Sequence, residues 1–287
     1  MDETQKPNGQ PVHIWRVWHI SEGAAAEQEV EMVLEEPLSL HINGQQAAVL
    51  MRLPGMEKEL VAGFCISEGL VRRFDDILMI HHCGQGLPAP SLDAGLESDA
   101  TSRNRVEVRV RPEGLNADAR LDVVRLIRAG CGAVDVERAD LPLSPVPAGP
   151  VVTAQRIIQL PQAMRERQQL HQQVGGVHAV ALFDTEGQPI ILCEDVGRHN
   201  AVDKAIGYCL LRGISIADRI LLCSGRLSYE MVTKIIRLGI SILVSVSAPT
   251  ALAVQLAESF GVTIIGYVRG SRMTIYTHPE RILMPSA

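Results

Sequence analysis

The chain has 287 residues, 46% of them hydrophobic and 21% charged, a globular composition long enough for one large domain or two small ones. Its formal net charge of −6 argues against a chain-wide grip on nucleic acid, and aromatics at 3% leave the core to Val, Ile, Leu and Ala. No apolar run reaches the roughly 18 residues that span a membrane, and the polar N-terminus lacks the apolar segment of a secretory signal.

In chain order, residues 1–11 are expected to be disordered, and Val12 to Trp18 alternates as a strand. Val30 to Leu53 carries a hairpin signal, two apolar runs flanking Asn43-Gly44, the preferred dipeptide of a type I′ turn. A helix fits Glu57 to Leu70, with Leu60, Val61, Phe64 and Leu70 on one side and Gly69 near its end. Asp76 to His82 is a strand, Leu87 to Arg103 a Pro/Ser/Asp/Gly loop, and Val106, Val108 and Val110 alternate with charges as a half-exposed strand. Leu121 to Ile127 fits a short helix. From Ala129 to Pro150 periodicity disappears, and this Pro- and Gly-rich segment is expected to be a mobile loop or linker. Thr153 then caps a polar helix to about Gln173.

After Gly175-Gly176 apolar strands are expected at 178–183, 189–193, 219–223, 240–247 and 262–268, the last four separated by helices at 199–212, 228–238 and 250–260. Strands spaced by helices imply parallel crossovers, while the link Thr185-Glu186-Gly187-Gln188 makes the first pair an antiparallel hairpin. The fold class is therefore α/β: a mixed, mostly parallel sheet with helices on both faces, behind a smaller β-rich N-terminal subdomain. The divisions fall at 1–11 (tail), 12–128 (β-rich subdomain), 129–150 (loop) and 151–287 (α/β core).

Polar residues gather at the strand ends. Glu194 to Lys204, E-D-V-G-R-H-N-A-V-D-K, follows a dry apolar run and enters a helix, where open α/β sheets place ligands; the competing reading is a solvated turn whose acids cap the helix. Gly175-Gly176-Val177-His178, Ser224-Gly225-Arg226 with Ser228 as a helix cap, Ser247 to Thr250, and Tyr267 to Arg272 mark the other strand ends. In a parallel arrangement the last four ends converge on one edge, and Arg269 and Arg272 beside Gly270 suit a phosphate. Of six cysteines, Cys65, Cys193, Cys209 and Cys223 sit in apolar runs as buried hydrophobes, and no disulfide framework appears, which fits a reducing cytoplasm. Cys131 differs, lying between Gly130 and Gly132; Arg128 favours its ionisation, Asp135 and Glu137 oppose it. His81-His82-Cys83 alternates faces and cannot close a metal site alone, so no metal site is expected.

The motifs E-E-P-L-S-L-H-I-N-G (35–44), L-V-A-G-F-C-I-S-E-G (60–69), R-A-G-C-G (128–132), G-G-V-H-A (175–179), E-D-V-G-R-H-N-A-V-D-K (194–204), S-G-R-L-S-Y-E-M-V-T-K (224–234), S-A-P-T-A-L-A (247–253) and Y-T-H-P-E-R (276–281) resemble the FdhD/NarQ family of formate dehydrogenase accessory sulfurtransferases. The resemblance covers about Glu35 to Ile282. It implies a fold similar to the cytidine deaminases without their zinc, and a homodimer. It implies that sulfur is taken as a cysteine persulfide from a cysteine desulfurase, and passed to the molybdenum or tungsten bis-pterin guanine dinucleotide cofactor of formate dehydrogenase. A guanine nucleotide would mimic that substrate. The persulfide-bearing cysteine falls on Cys131 and the cofactor-binding stretch on Tyr267, Val268, Arg269, Gly270, Ser271 and Arg272; Arg198, His199 and Arg226 look like further walls. The chain departs from the family's C-G-x-C loop, with Val134 at the second cysteine position. One thiol permits only simple relay. The alternative is a chaperone that delivers the cofactor without moving sulfur.

Overall fold

The computed structural model describes residues 11–83, 103–116, 143–284 and the backbone of 125–127. Strands β1 (Val12–Ser21) and β2 (Ala24–Val33) pair antiparallel into a two-stranded ribbon. Its turn is Glu22-Gly23, both at positive φ. The ribbon is longer than expected and takes residues 30–33 out of the Asn43-Gly44 hairpin. Its outer part is open, with Trp18 72% and Ile20 74% exposed.

Strands β3 (Glu36–Ile42), β4 (Gln45–Arg52), β5 (Ile77–Cys83), β6 (Arg105–Val110) and β7 (Arg125–Ile127) form a sheet in the order β5-β6-β3-β4-β7. Asn43 and Gly44, at φ 50° and 84°, make the expected turn between β3 and β4. Asn43 also grips β6: its Nδ2 donates to the Val110 carbonyl at 3.0 Å and its Oδ1 accepts from Val110 N–H at 2.9 Å. The helix expected at 121–127 gives way to β7, because β4 offers a free edge whose backbone groups need partners. Residues 121–124 lie outside the described residues, as do most of the loop 87–103 and the tail 1–10.

Helix α1 (Glu57–Ser67) lays Leu60, Val61, Phe64 and Cys65 on this sheet against Leu38, Leu40, Leu50, Val106 and Val108. Each such buried side chain stabilises by about 1.5–3 kcal/mol relative to exposure. The opposite side of α1 crosses α4 (Arg198–Leu211). Glycines make the crossing possible: a Cβ on Gly63 would lie 1.9 Å from the Asp203 carbonyl oxygen, and one on Gly207 1.8 Å from that of Glu59.

The second sheet has the order β10-β9-β11-β12-β13-β14, built from β9 (His178–Phe183), β10 (Pro189–Asp195), β11 (Ile220–Cys223), β12 (Ile242–Ser245), β13 (Thr263–Arg269) and β14 (Arg272–Ile275). β9 is antiparallel to both β10 and β11, and β11, β12 and β13 are mutually parallel, so β10 to β13 all run one way. The sheet is mixed, as expected. β14 is additional, folding back antiparallel on β13 across Gly270-Ser271. Helices α4, α5 (Tyr229–Arg237) and α6 (Ala251–Phe260) cover one face. α2 (Ala154–Arg165) covers the other with Ile157, Leu160 and Met164. The helix expected to reach Gln173 breaks after Arg165; α3 (Gln169–Gln173) starts afresh because the Glu194 carboxylate accepts from the N–H groups of Leu170 and His171, at 2.9 and 2.8 Å. Short strands β8 (Val152–Thr153) and β15 (Ile282–Leu283) pair parallel beside α2.

The end of the expected mobile loop, residues 143–150, lies down on the core: Leu143 and Val146 pack against it and Val146 N–H donates to the Phe260 carbonyl at 2.9 Å. Among the described residues no helix is long and apolar enough to cross a membrane.

Candidate functional site

Because β10 to β13 share a direction, their C-terminal ends meet on one edge, and β9, running opposite, brings its first residue there too: His178 pairs with Asp195. The edge is stitched together by short polar contacts. Ser224 Oγ accepts from Ala179 N–H at 2.9 Å, and Ser245 Oγ donates to the Gly225 carbonyl at 2.7 Å. Leu227 N–H donates to the Ala248 carbonyl at 3.1 Å and Thr250 N–H to that of Leu227 at 3.0 Å.

The motif Glu194 to Lys204 divides into two functions along this edge. Asp195, fully buried, accepts from Gly197 N–H at 2.9 Å, Asn200 Nδ2 at 3.0 Å and Leu53 N–H at 3.2 Å, and pairs with Lys204 Nζ at 2.7 Å. Lys204 Nζ and Asn200 Nδ2 donate in turn to the carbonyls of Leu53 and Met51, at 2.8 and 2.7 Å. These residues fasten the β4–α1 connection onto α4, a structural clamp. Asp203 belongs to another, reaching Ser67 at 2.6 Å and Lys234 at 2.8 Å.

Arg198 and His199 remain for the edge itself. Arg198 opens α4, with its Nε buried and making no hydrogen bond among the described residues. His199 is 7% exposed. Its Nε2 lies 3.4 Å from Glu230 Oε2 without hydrogen-bond geometry, and burial, Lys234 and Arg198 drive its pKa down to about 3, so the ring is neutral. The contact joins the first turns of α4 and α5. His178 is likewise pushed below the usual histidine range, by burial first and then by Arg198. A Cβ at Gly225 would sit 3.2 Å from His178 Nδ1 and 3.3 Å from Arg198 Cδ, so this glycine lets the two side chains close over the loop after β11. Ser228 occupies the N-cap of α5, but its side chain caps nothing: Oγ is buried without a hydrogen bond among the described residues. Thr153 and Thr250 do cap α2 and α6, each at 3.3 Å. Arg226 is exposed on the loop between β11 and α5.

The stretch Tyr267 to Arg272 is the β13–β14 hairpin. Tyr267 is 46% exposed and sits at φ 53°, a left-handed conformation that costs a non-glycine residue on the order of 1 kcal/mol or more, at a register shift in the sheet. Its N–H donates to the Ser247 carbonyl at 3.0 Å, which fixes the irregularity. Val268 is fully buried in the core on the α2 face, so its side chain is no wall of the edge. A strand's alternation explains this: Tyr267 and Arg269 face one way, Val268 the other. Arg269 Nε donates to the Val246 carbonyl at 2.9 Å, binding the hairpin to the loop after β12. Gly270, at φ 58°, and Ser271 make the turn, and Arg272 is exposed beyond them.

Arg198, His199, Arg226, Tyr267, Arg269 and Arg272 thus share one edge. His178 joins them through antiparallel register and Ser228 through its orphaned hydroxyl. Cys131 lies outside the described residues. Cys65, Cys193, Cys209 and Cys223 are buried; desolvation raises the thiols of Cys65, Cys193 and Cys223 to about 12 and that of Cys209 to about 11, so none is a thiolate near neutral pH.

Open α/β sheets place their ligands outside the carboxyl ends of the strands, and in this mixed α/β sheet those ends carry Arg, His, Ser and Gly on one edge. The description of the matching family, FdhD/NarQ, covers residues 33–283 of the chain, beginning where the β1–β2 ribbon ends. "Sulfur carrier protein FdhD" from Mycobacterium tuberculosis is 35% identical over 275 residues, covering 93% of this chain and 97% of the relative. The protein of that name from Thermoplasma acidophilum is 39% identical over 267 residues, covering 90% and 88%. A crystal structure from Desulfotalea psychrophila, described as a formate dehydrogenase accessory protein, superimposes with a TM-score of 0.76 at 26% identity, over 96% of this chain and 100% of that one. The chain belongs to the FdhD/NarQ family.

Proposed function

We propose that this protein is a sulfur carrier in the maturation of formate dehydrogenase. Cys131 accepts sulfur from a cysteine desulfurase: its thiolate attacks the outer sulfur of the donor's persulfide and the donor's thiolate leaves. The outer sulfur then passes to a molybdenum or tungsten bis-pterin guanine dinucleotide, the substrate held at the carboxyl edge of the second sheet: the S–S bond breaks, the Cys131 thiolate is released, and the two electrons that make the transferred sulfur a sulfide would come from the substrate's reduced metal. The reading is carried by one observation: in a member of this family, the carboxyl edge of the second sheet carries the cations Arg198, Arg226, Arg269 and Arg272 and the exposed ring of Tyr267. Guanidinium groups suit phosphates, and an aromatic face suits a guanine. The buried, high-pKa state of Cys65, Cys193, Cys209 and Cys223 leaves those four as packing residues. The family resemblance adds a homodimer working in the cytoplasm.

The test is to incubate the protein with a cysteine desulfurase and L-cysteine, and seek a single-sulfur adduct by intact mass. The adduct should form on the wild type and vanish in Cys131→Ala, with loss of formate dehydrogenase maturation. Absence of the adduct together with full maturation by Cys131→Ala would establish the chaperone instead, which the valine at position 134 leaves in contention.

A further inference from the structure

Both tryptophans of the chain, Trp15 and Trp18, stand on the β1–β2 ribbon, and both are open to solvent, 50% and 72% exposed. We propose that the outer part of this ribbon is the docking surface for the protein that donates sulfur, a cysteine desulfurase whose matching face is basic and holds an apolar pocket. This rests on the relay reading above and supplies the surface through which the donor is held.

Residues directly opposite each other in an antiparallel pair share a face, so Trp18 with Glu27, Arg16 with Glu29 and Ile20 with Ala25 form one face of the ribbon. Trp18 and Ile20 are its apolar part, near the turn. The ribbon carries Glu22, Glu27, Glu29 and Glu31 against a single arginine, Arg16. The contacts of Arg16 to Glu27 and Glu29 are long, 3.9 Å each, and exposed, so they contribute little and leave the acidic charge open to a partner. Among the described residues the ribbon is a sheet of its own, with both outer edges unpaired. A hairpin alone in water is marginally stable, and large apolar side chains clustered on one mark a contact surface. Tryptophan is enriched where such contacts concentrate their energy. The root of the ribbon is fixed: Gln173 Nε2 donates to Glu31 Oε2 at 2.5 Å, and Leu34 N–H to the Pro11 carbonyl at 2.9 Å.

Charge selects the occupant. The ribbon of a second copy brings the same glutamates and is repelled, as is an anionic lipid surface. A basic protein face is attracted. The relay needs a donor protein beside Cys131, whereas the accepting cofactor is held on this chain. Position agrees with a donor. Leu38 pairs with Leu50 and Leu50 with Ile127, and β7 runs parallel to β4. The chain therefore leaves β7 for Cys131 at the end of the first sheet where β3 begins and the ribbon is attached.

The test uses the full chain labelled with fluorotryptophan, which gives two fluorine NMR signals, both from the ribbon. Purified cysteine desulfurase of the same organism, unlabelled, is titrated in. The Trp18 signal, assigned by its loss in Trp18→Phe, should shift or broaden. By calorimetry, Trp18→Ser and the double variant Glu27→Lys with Glu29→Lys should each weaken the desulfurase roughly tenfold or more, with thermal midpoint and oligomeric state unchanged. Sulfur loading of Cys131 should slow in these variants at low desulfurase concentration and recover when the desulfurase is in excess. Unchanged affinity in both variants, unmoved fluorine signals, or a wild type that binds no desulfurase overturns the proposal. So does a dimer that separates in Trp18→Ser, or loss of formate dehydrogenase or anionic vesicles with the desulfurase retained. A desulfurase held through the ribbon that leaves no adduct on Cys131 supports the docking surface and removes the relay.

Discussion

Replacing Lys234 by Met should destabilise the protein, and more so as pH rises. Lys234 is 3% exposed; its Nζ donates to both oxygens of Asp203, at 2.9 and 2.8 Å, and to Ser67 Oγ at 2.9 Å, and lies 3.0 Å from Glu68. This cluster joins the end of α1 to α4 and α5. Met fills the volume of the aliphatic stem but leaves Asp203 buried with Ser67 alone. Breaking a buried pair from one side costs about 3–5 kcal/mol, which lowers the melting temperature by on the order of 10 °C. The pH dependence follows from Asp203, whose carboxyl burial raises from 3.8 to about 6 even with Lys234 beside it. A raised folded pKa means stability present at low pH and lost as pH climbs through that value. In the wild type this loss ends near pH 6. Without the cation the carboxyl rises further, so the variant goes on losing about 1.4 kcal/mol per pH unit above that point. Lys234 itself has its pKa raised above 10.5 by Asp203 and Glu68 despite burial, and stays charged throughout. His199 acts in the same sense: Lys234 holds it down, and removal of the lysine eases its protonation at low pH. Urea unfolding at pH 5 and pH 8, followed by circular dichroism, should give a wider gap between variant and wild type at pH 8. An equal gap at both values would refute the argument.

Cys65→Ala should cost about 1–2 kcal/mol in thermal unfolding from lost core packing and leave sulfur loading intact, whereas Cys131→Ala should abolish loading. Gly207→Ala should fail to reach the native helix crossing or lose more than about 3 kcal/mol of stability, because its Cβ would meet the Glu59 backbone at 1.8 Å; a melt indistinguishable from wild type would contradict the packing. Tyr267→Gly removes a left-handed non-glycine residue, so the melting temperature should hold or rise by an amount worth about 1 kcal/mol, while guanosine affinity falls; unchanged affinity would deny the ring a part in binding.

The local rules that need only near neighbours were legible in the chain. Asn43-Gly44 announced its turn, Thr153 its cap, and alternating or continuous apolar runs the strands of both sheets other than β7 and β14. The strand ends that carry Arg198, Arg226 and Tyr267 to Arg272 were also readable, because helix-separated strands run the same way and finish on the same side. What needed tertiary structure was the sorting of polar residues within a motif. Asp195, Asn200 and Lys204 stand beside Arg198 and His199 in sequence, yet the first three are spent on the backbone of Met51 and Leu53, about 150 residues upstream. No local pattern encodes a partner at that separation. For the same reason Ser228 read as an ordinary cap and Val268 as a site residue. The hydroxyl's lack of a partner and the valine's place in the core depend on which elements pack where, and that is settled by burial across the whole molecule rather than by spacing along the chain.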